Sequence, residues 1–134
     1  MKFKSEYYWF LIFAFCFFTF NQIQDHIRPN YNGQSIAIKY FLGIAPNFFP
    51  GIGLPALFVL IIPYFLKKNY PNSWFLKNKH LTANLISITG LVGWEFMQIS
   101  GKMWFDWNDI LWSFLGALLF QFIWTITPQK FKVH

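Results

Sequence analysis

Three of the five carboxylates in this 134-residue chain lie between positions 95 and 109. Glu95 stands near the end of one apolar segment, Asp109 stands at the start of the next, and Asp106 lies between them. A carboxylate at membrane depth costs at least a few kcal/mol, so such a residue is a candidate functional group. The pattern therefore predicts a polar site where two apolar helices meet a loop.

The first polar face belongs to the helix that ends this apolar segment. Glu95, Gln98 and Lys102 follow one another at i, i+3 and i+7. This spacing places them on one side of a helix and its continuation. Glu95 lies about one turn inside the end of the helix, where its carboxylate needs a cation, a hydrogen-bond donor or a proton.

The second polar face opens the last apolar helix. Asp109, Ser113 and Gly116 follow one another at i, i+4 and i+7. A glycine on such a face permits close approach of a neighbouring helix, here predicted to be the helix of Glu95. Asp109 is also typical of a helix N-cap, which is an alternative to a binding role.

Composition predicts an all-α membrane protein. Apolar residues make up 55% of the chain and charged residues only 12%, about half the usual share in soluble domains. Four apolar stretches approach the roughly 17 to 25 residues that cross a bilayer as a helix. We expect one integral membrane domain, 1–134, built as a four-helix transmembrane bundle with spans at about 7–23, 48–66, 81–99 and 109–127.

The region between the first two spans is predicted to be irregular. Residues 24–34 are polar and contain Pro29 and Gly33, which favour a loop. Residues 35–45 are apolar but too short to span, which favours an interfacial or re-entrant segment. Prolines and glycines from 46 to 55 then predict an interrupted entry to the second span.

At the start of the first span, residues 7–9 predict an interfacial aromatic belt.

The distribution of Lys and Arg predicts the orientation. Four spans place eight of these residues on one side and three on the other, so the positive-inside rule makes both termini cytoplasmic in a bacterial inner membrane. Asp25 and Arg28 then share the outer side with the 95–109 stretch. The predicted ligand-binding residues are Glu95, Gln98, Lys102, Asp106, Asp109, Ser113, Asp25 and Arg28.

Several kinds of chemistry lack a signature in this chain. No nucleophile and base motif, zinc motif or phosphate-binding loop occurs, so we assign no catalytic residue, no metal site and no cofactor. A divalent cation on the acids of the outer side is a minor alternative, since their spacing matches no known loop. The net charge of +6 is scattered beside apolar segments rather than gathered on a face, which argues against nucleic acid.

The stretch from 95 to 116 resembles the VanZ-like family of small bacterial membrane proteins. The pattern of this family is E-x-x-Q, then a loop that commonly contains Arg, and then D-x-x-x-N-x-x-G. The resemblance implies a four-helix membrane domain with a polar cluster on the outer face, linked in the family's namesake to glycopeptide antibiotic resistance at the cell envelope. Glu95, Gln98, Asp109 and Gly116 match the pattern, Lys102 stands near the usual Arg, and Ser113 replaces the Asn.

Three functions remain open from the sequence. In the first, the outer pocket binds a lipid headgroup or a small envelope-active molecule. In the second, the chain is a small proton- or ion-coupled transporter that works as an oligomer, with Glu95 as its protonatable group. In the third, the chain is a structural or accessory subunit of a larger membrane complex, and Glu95 is clamped by Lys102 or Arg28.

Overall fold

The computed structural model describes residues 4–101 and 106–134, and all regular secondary structure in these two ranges is helical. The predicted all-α class is therefore confirmed. A π-helical segment (Ile23–Ile27) and a short 3-10 turn (Gln129–Phe131) accompany the α-helices. The helices are α1 (Ser5–Gln22), α2 (Arg28–Asn30), α3 (Ile36–Leu66), α4 (Trp74–Lys77), α5 (Lys79–Ser100) and α6 (Trp107–Ile126).

The largest departure from the sequence prediction is α3, which is one continuous helix of 31 residues. We predicted a separate short segment at 35–45 and a helix at 48–66. Ser35 caps the helix instead, because its Oγ accepts a hydrogen bond from the backbone N–H of Ile38 at 3.4 Å. Each internal proline removes one backbone bond. Packing of α3 against α1, α5 and α6 offsets that cost.

The predicted loop at 24–34 is also largely helical. The chain continues from α1 through the π-helical segment, and α2 ends only at Asn30. Pro29 is compatible with this continuation because it lies in the first turn of α2, where proline is well tolerated. Asp25 and Arg28 therefore lie on helical backbone.

Consecutive long helices alternate in direction, and α3 lies in the middle. It contacts α1, α5 and α6, and α5 also packs on α6. Trp9 near the start of α1 bonds to Phe131 beyond α6, whereas Tyr40 early in α3 meets Trp112 early in α6. The two ends of the bundle differ in charge. The basic end carries Lys4, Lys67, Lys68, Lys77, Lys79, Lys130 and Lys132, and the opposite end is the cavity end.

Two glycines allow α3 and α6 to cross in close contact. A Cβ added to Gly51 would lie 2.7 Å from the backbone oxygen of Ser113 and 3.1 Å from the Cα of Gly116. A Cβ added to Gly116 would collide with the backbone oxygen of Phe48. The sequence predicted that Gly116 approaches the helix of Glu95, but its close neighbour is α3.

Trp9 anchors the core at the basic end, contrary to its predicted place in an aromatic belt. Its side chain is fully buried, and its Nε1 donates a hydrogen bond to the backbone oxygen of Phe131 at 2.8 Å. The ring also packs against Phe120 and Trp124. Because the indole N–H has a partner, burial of the whole side chain is favourable.

The outer surface of the bundle is apolar. Large exposed side chains include Phe15, Phe18, Leu118 and Phe122. Both α3 and α6 are long and apolar enough to cross a membrane, and only 28% of the apolar window of α6 is buried. A core helix of a soluble protein would bury most of that window. These features indicate a membrane protein.

Candidate functional site

A cavity of about 790 Å³ opens at the cavity end of the bundle. Its wall is built from the end of α1 with the π-helical segment and α2, the first half of α3, the last turns of α5, and the start of α6. Four separate parts of the chain therefore converge on one concave space. Such a space, with a few convergent polar groups, is the usual form of a small-molecule site.

Five of the eight predicted site residues line this cavity. Two come from α5, two from the start of α6 and one from α2. They are Glu95, Gln98, Asp106, Asp109 and Arg28. Their binding role remains a prediction, but the fold places them around one space.

Of the other three predicted residues, two are described by the structure, and neither lines the cavity. Asp25 is exposed, next to Gln24, which does line the cavity. Ser113 is buried, and its Oγ donates to the backbone oxygen of Asp109 at 3.0 Å. Lys102 lies outside the described residues. Ser113 thus serves the close packing of α6, where its backbone oxygen lies against Gly51 of α3.

Glu95 is the most unusual residue of the site. Only 3% of its surface is exposed, and its Oε2 has no hydrogen-bond partner among the described residues. A buried charged or polar atom without a partner costs free energy unless something else supplies a donor. One carboxyl oxygen in the cavity wall therefore lacks a donor among the described residues.

The register of α5 explains why Glu95 faces inward. Ala83 and Ser87 are buried at four-residue spacing, and the same stripe continues through Leu91, which lines the cavity, to Glu95. Gly90 does not belong to this stripe. In the fold Gly90 is exposed, and a Cβ there would meet no described atom within 4 Å.

The acids at the start of α6 differ from their predicted roles. Asp106, not Asp109, is the N-cap, because its carboxylate accepts the backbone N–H of Asn108 at 2.8 Å. Asp109 follows in the first turn of the helix and lines the cavity. Both carboxylates lie where the helix dipole favours negative charge.

α3 contributes a wall of the cavity that the sequence pattern did not predict. The Tyr40 hydroxyl donates to Oδ1 of Asn108 at 3.1 Å and accepts from Nε1 of Trp112 at 2.9 Å, which ties α3 to α6. Lys39 and Asn47 line the same cavity. Lys39, a charged residue in an otherwise apolar segment, could have indicated this wall. It was missed because residues 35–45 were assigned to an interfacial or re-entrant segment.

The cavity holds charges of both signs. Glu95, Asp106 and Asp109 come from α5 and α6, whereas Arg28 and Lys39 come from α2 and α3. Within residues 4–101 and 106–134, no three His, Cys, Asp or Glu side chains come together as a metal-ligand group. The arrangement suits a ligand that carries both a cationic donor and an anionic acceptor.

A second polar cluster lies toward the basic end, between α5 and α6. The side-chain amide of Gln121 lies 2.9 to 3.2 Å from Nδ1 of His80. Asn84 Nδ2 donates to Oε1 of Gln121 at 3.2 Å and to the backbone oxygen of Ala117 at 3.3 Å. This network joins the two helices, and no sequence pattern predicted it.

Removal of Gln121 is expected to weaken the joint between α5 and α6. Gln121→Met keeps the length of the side chain but loses its bonds to His80 and Asn84. We expect a loss of roughly 0.6 to 1.7 kcal/mol, the range measured for hydrogen bonds between membrane helices. Denaturant unfolding in one detergent measures it, with the exposed Gln129→Met as control. Equal stability of the two variants would contradict the assignment.

In comparisons with known proteins, no family model, curated protein or solved structure matches this chain. The fold and the cavity therefore define only the class of protein to which the chain belongs. That class is an all-helical protein with two helices able to cross a membrane and a charged cavity at one end. The resemblance of the 95–116 stretch to the VanZ-like family remains a prediction.

Proposed function

We propose that this chain is a four-span, VanZ-like protein of the bacterial cytoplasmic membrane whose cavity opens on the outer face and binds a lipid headgroup or a small envelope-active molecule. One observation carries the proposal. Glu95 lies buried in the cavity wall with a carboxylate oxygen that has no hydrogen-bond partner among the described residues. A ligand with a donor group would complete that hydrogen bond.

The inward direction of its polar residues supports α5 as a third span. Asn84 bonds to α6, Ser87 is buried, and Glu95 lines the cavity. The exposed side of the helix carries large apolar residues, among them Leu85 and Ile86. The polar side chains of Asn84, Ser87 and Glu95 are thus shielded from lipid.

The exposed surface of α1 supports a fourth span. Its large apolar side chains Phe10, Leu11, Phe15 and Phe18 are all at least half exposed. A contiguous apolar surface of this kind is unfavourable in water and favourable in lipid. With α1, α3, α5 and α6 all crossing, the chain is a multi-pass protein.

The distribution of charge supports an outward-facing cavity. All described Lys residues except Lys39 lie at the basic end, and the cavity end holds Lys39 and Arg28. Basic residues are retained on the cytoplasmic side of bacterial membrane proteins. The basic end is then cytoplasmic, and the cavity faces the envelope.

The continuous α3 bears on the alternative of a small transporter. A transporter needs a part that moves, and the interrupted entry predicted for the second span was the candidate for it, but α3 runs unbroken from Ile36 to Leu66. Its prolines Pro46 and Pro50 line the cavity as part of a regular helix. A binding site on a fixed scaffold accounts for the cavity without a moving part.

Ligand-dependent thermal stability tests the proposed function. Purified protein in detergent is heated with two soluble headgroup compounds, phosphoethanolamine and glycerol phosphate. A glycopeptide antibiotic is added in a separate sample as an envelope-active molecule. A ligand present at 100 times its Kd stabilises the folded state by about 2.7 kcal/mol. We expect such a shift for wild type with at least one compound, and its loss in Glu95→Gln.

Glu6→Gln is the matched control, since Glu6 is an exposed acid on the first turn of α1, away from the cavity. It should respond to the ligand as wild type does. If no compound stabilises wild type and Glu95→Gln is merely less stable, the cavity cluster is architectural. The accessory-subunit function, with a larger membrane partner, then replaces the proposed one.

A further inference from the structure

A second, apolar groove lies beside the charged cavity. It has a volume of about 230 Å³ and lies between α1 and α3. Its lining includes Phe13, Cys16 and Phe17 from α1, and Phe49, Gly53 and Leu54 from α3. Apolar side chains and backbone carbon surround the groove, so its natural occupant is a hydrocarbon chain.

The groove and the cavity share part of their walls. Phe20 of α1 and Pro50 of α3 line both spaces. A single elongated ligand can therefore place a polar group among the charges and a hydrocarbon tail in the groove. Neither a free ion nor a small polar solute would use both spaces.

Glu95 specifies the cationic part of this ligand. Its buried Oε2 lacks a hydrogen-bond partner among the described residues, so the group that meets it must carry a hydrogen on nitrogen or oxygen. A primary ammonium has three such hydrogens and a positive charge. A quaternary ammonium has the charge but no donor. This comparison favours ethanolamine over choline.

Arg28 and Lys39 specify the anionic part. Arg28 donates to Oε1 of Gln24 at 3.4 Å, a long bond that uses one of its five N–H donors. Lys39 lines the cavity from α3 and is exposed there. A guanidinium and an ammonium that line the same cavity are typical partners of a phosphate.

We propose that the cavity and the apolar groove together bind one phospholipid with a phosphoethanolamine headgroup. Its ammonium meets Glu95, its phosphate lies toward Arg28 and Lys39, and one acyl chain occupies the groove. This inference rests on the proposed function, because it names the ligand class of the same cavity. The groove adds the requirement that the ligand be a lipid.

Native mass spectrometry of the detergent-purified full chain tests the inference. The protein is presented with equal amounts of phosphatidylethanolamine, phosphatidylcholine and phosphatidylglycerol of identical acyl chains. We expect retention of phosphatidylethanolamine to exceed that of each other lipid by about tenfold, the effect of one charge-assisted hydrogen bond. Glu95→Gln should abolish the preference, and Glu6→Gln should preserve it.

A second variant tests the groove. Leu54→Trp places a large ring in the groove, and Leu57→Trp places the same ring on α3 outside it. We expect only Leu54→Trp to lower lipid retention several-fold. Thermal unfolding of both variants shows whether each is folded. Equal retention by the two folded variants would overturn the assignment of the acyl chain.

The outcomes separate this inference from the proposed function. Equal retention of the three lipids, together with Glu95-dependent stabilisation by soluble phosphoethanolamine, refutes the assignment of a phospholipid as the ligand and leaves the proposed binding function standing. If phosphatidylcholine is retained as strongly as phosphatidylethanolamine, and this retention depends on Glu95, the requirement for a primary ammonium is refuted. If neither lipid nor soluble headgroup depends on Glu95, the inference and the proposed function both fail.

Discussion

Replacement of Trp9 by alanine is expected to lower the free energy of unfolding by about 3 to 5 kcal/mol, the usual cost when a buried aromatic side chain is truncated. The Trp9 ring lies 5.6 Å from that of Phe120 and 4.9 Å from that of Trp124, measured between centroids. Truncation leaves a void among these rings. It also removes the donor that holds the backbone oxygen of Phe131.

The matched control is Trp74→Ala in α4, because that side chain is 53% exposed. A surface substitution of this kind changes stability by about 0.5 kcal/mol or less. Both variants are unfolded by denaturant in the same detergent and followed by circular dichroism. Similar losses for the two tryptophans would show that the Trp9 cluster does not dominate the core at the basic end.

The second large effect is expected at the crossing of α3 and α6. Gly116→Ala places a methyl group against the backbone oxygen of Phe48 and the Cα of Gly51. Backbone atoms cannot rotate away as side chains can, so the helices must separate. We expect a loss of about 1 to 3 kcal/mol, as for other overpacked cores.

Gly90→Ala on α5 makes the same chemical change where a Cβ meets no described atom within 4 Å. Alanine is the better helix former by about 0.5 to 1 kcal/mol. The two substitutions should therefore change stability in opposite directions. Thermal unfolding of both in one detergent measures the contrast, and a stable Gly116→Ala would refute the tight crossing.

Hydrophobic patterning was sufficient to place most of the long helices. The predicted segments 81–99 and 109–127 correspond to α5 (Lys79–Ser100) and α6 (Trp107–Ile126). Each begins after a polar stretch and contains no internal proline, so local preference and tertiary packing agree. The remaining error at the start of α6 came from choosing Asp109 over Asp106 as the cap.

The same patterning was wrong for α3 because local and tertiary preferences conflict there. Four internal prolines predict breaks, whereas contact with three neighbouring helices favours one continuous helix. Tertiary contacts cannot be read from a single stretch of sequence. Lys39 and Tyr40 were missed for this reason, since their place at the cavity follows from the continuity of α3.

The site was only partly predictable. Helical spacing identified Glu95, Gln98 and Asp109 because residues at i and i+3 or i+4 share a face whatever they pack against. The burial of Glu95 and its lack of a described partner depend on the neighbouring helices. The apolar groove arises between α1 and α3, and no periodicity within either helix predicts it.

The length of α3 has a consequence for the bilayer around it. At about 1.5 Å per residue its 31 residues extend about 46 Å, whereas the hydrocarbon layer is roughly 30 Å thick. In the proposed orientation, with the basic end at the inner boundary, the surplus falls on the first turns, which include Lys39 and Tyr40. Thinner membranes raise these turns further outward, and thicker ones draw them in or tilt the helix upright. Membrane thickness thereby sets the height of the cavity opening.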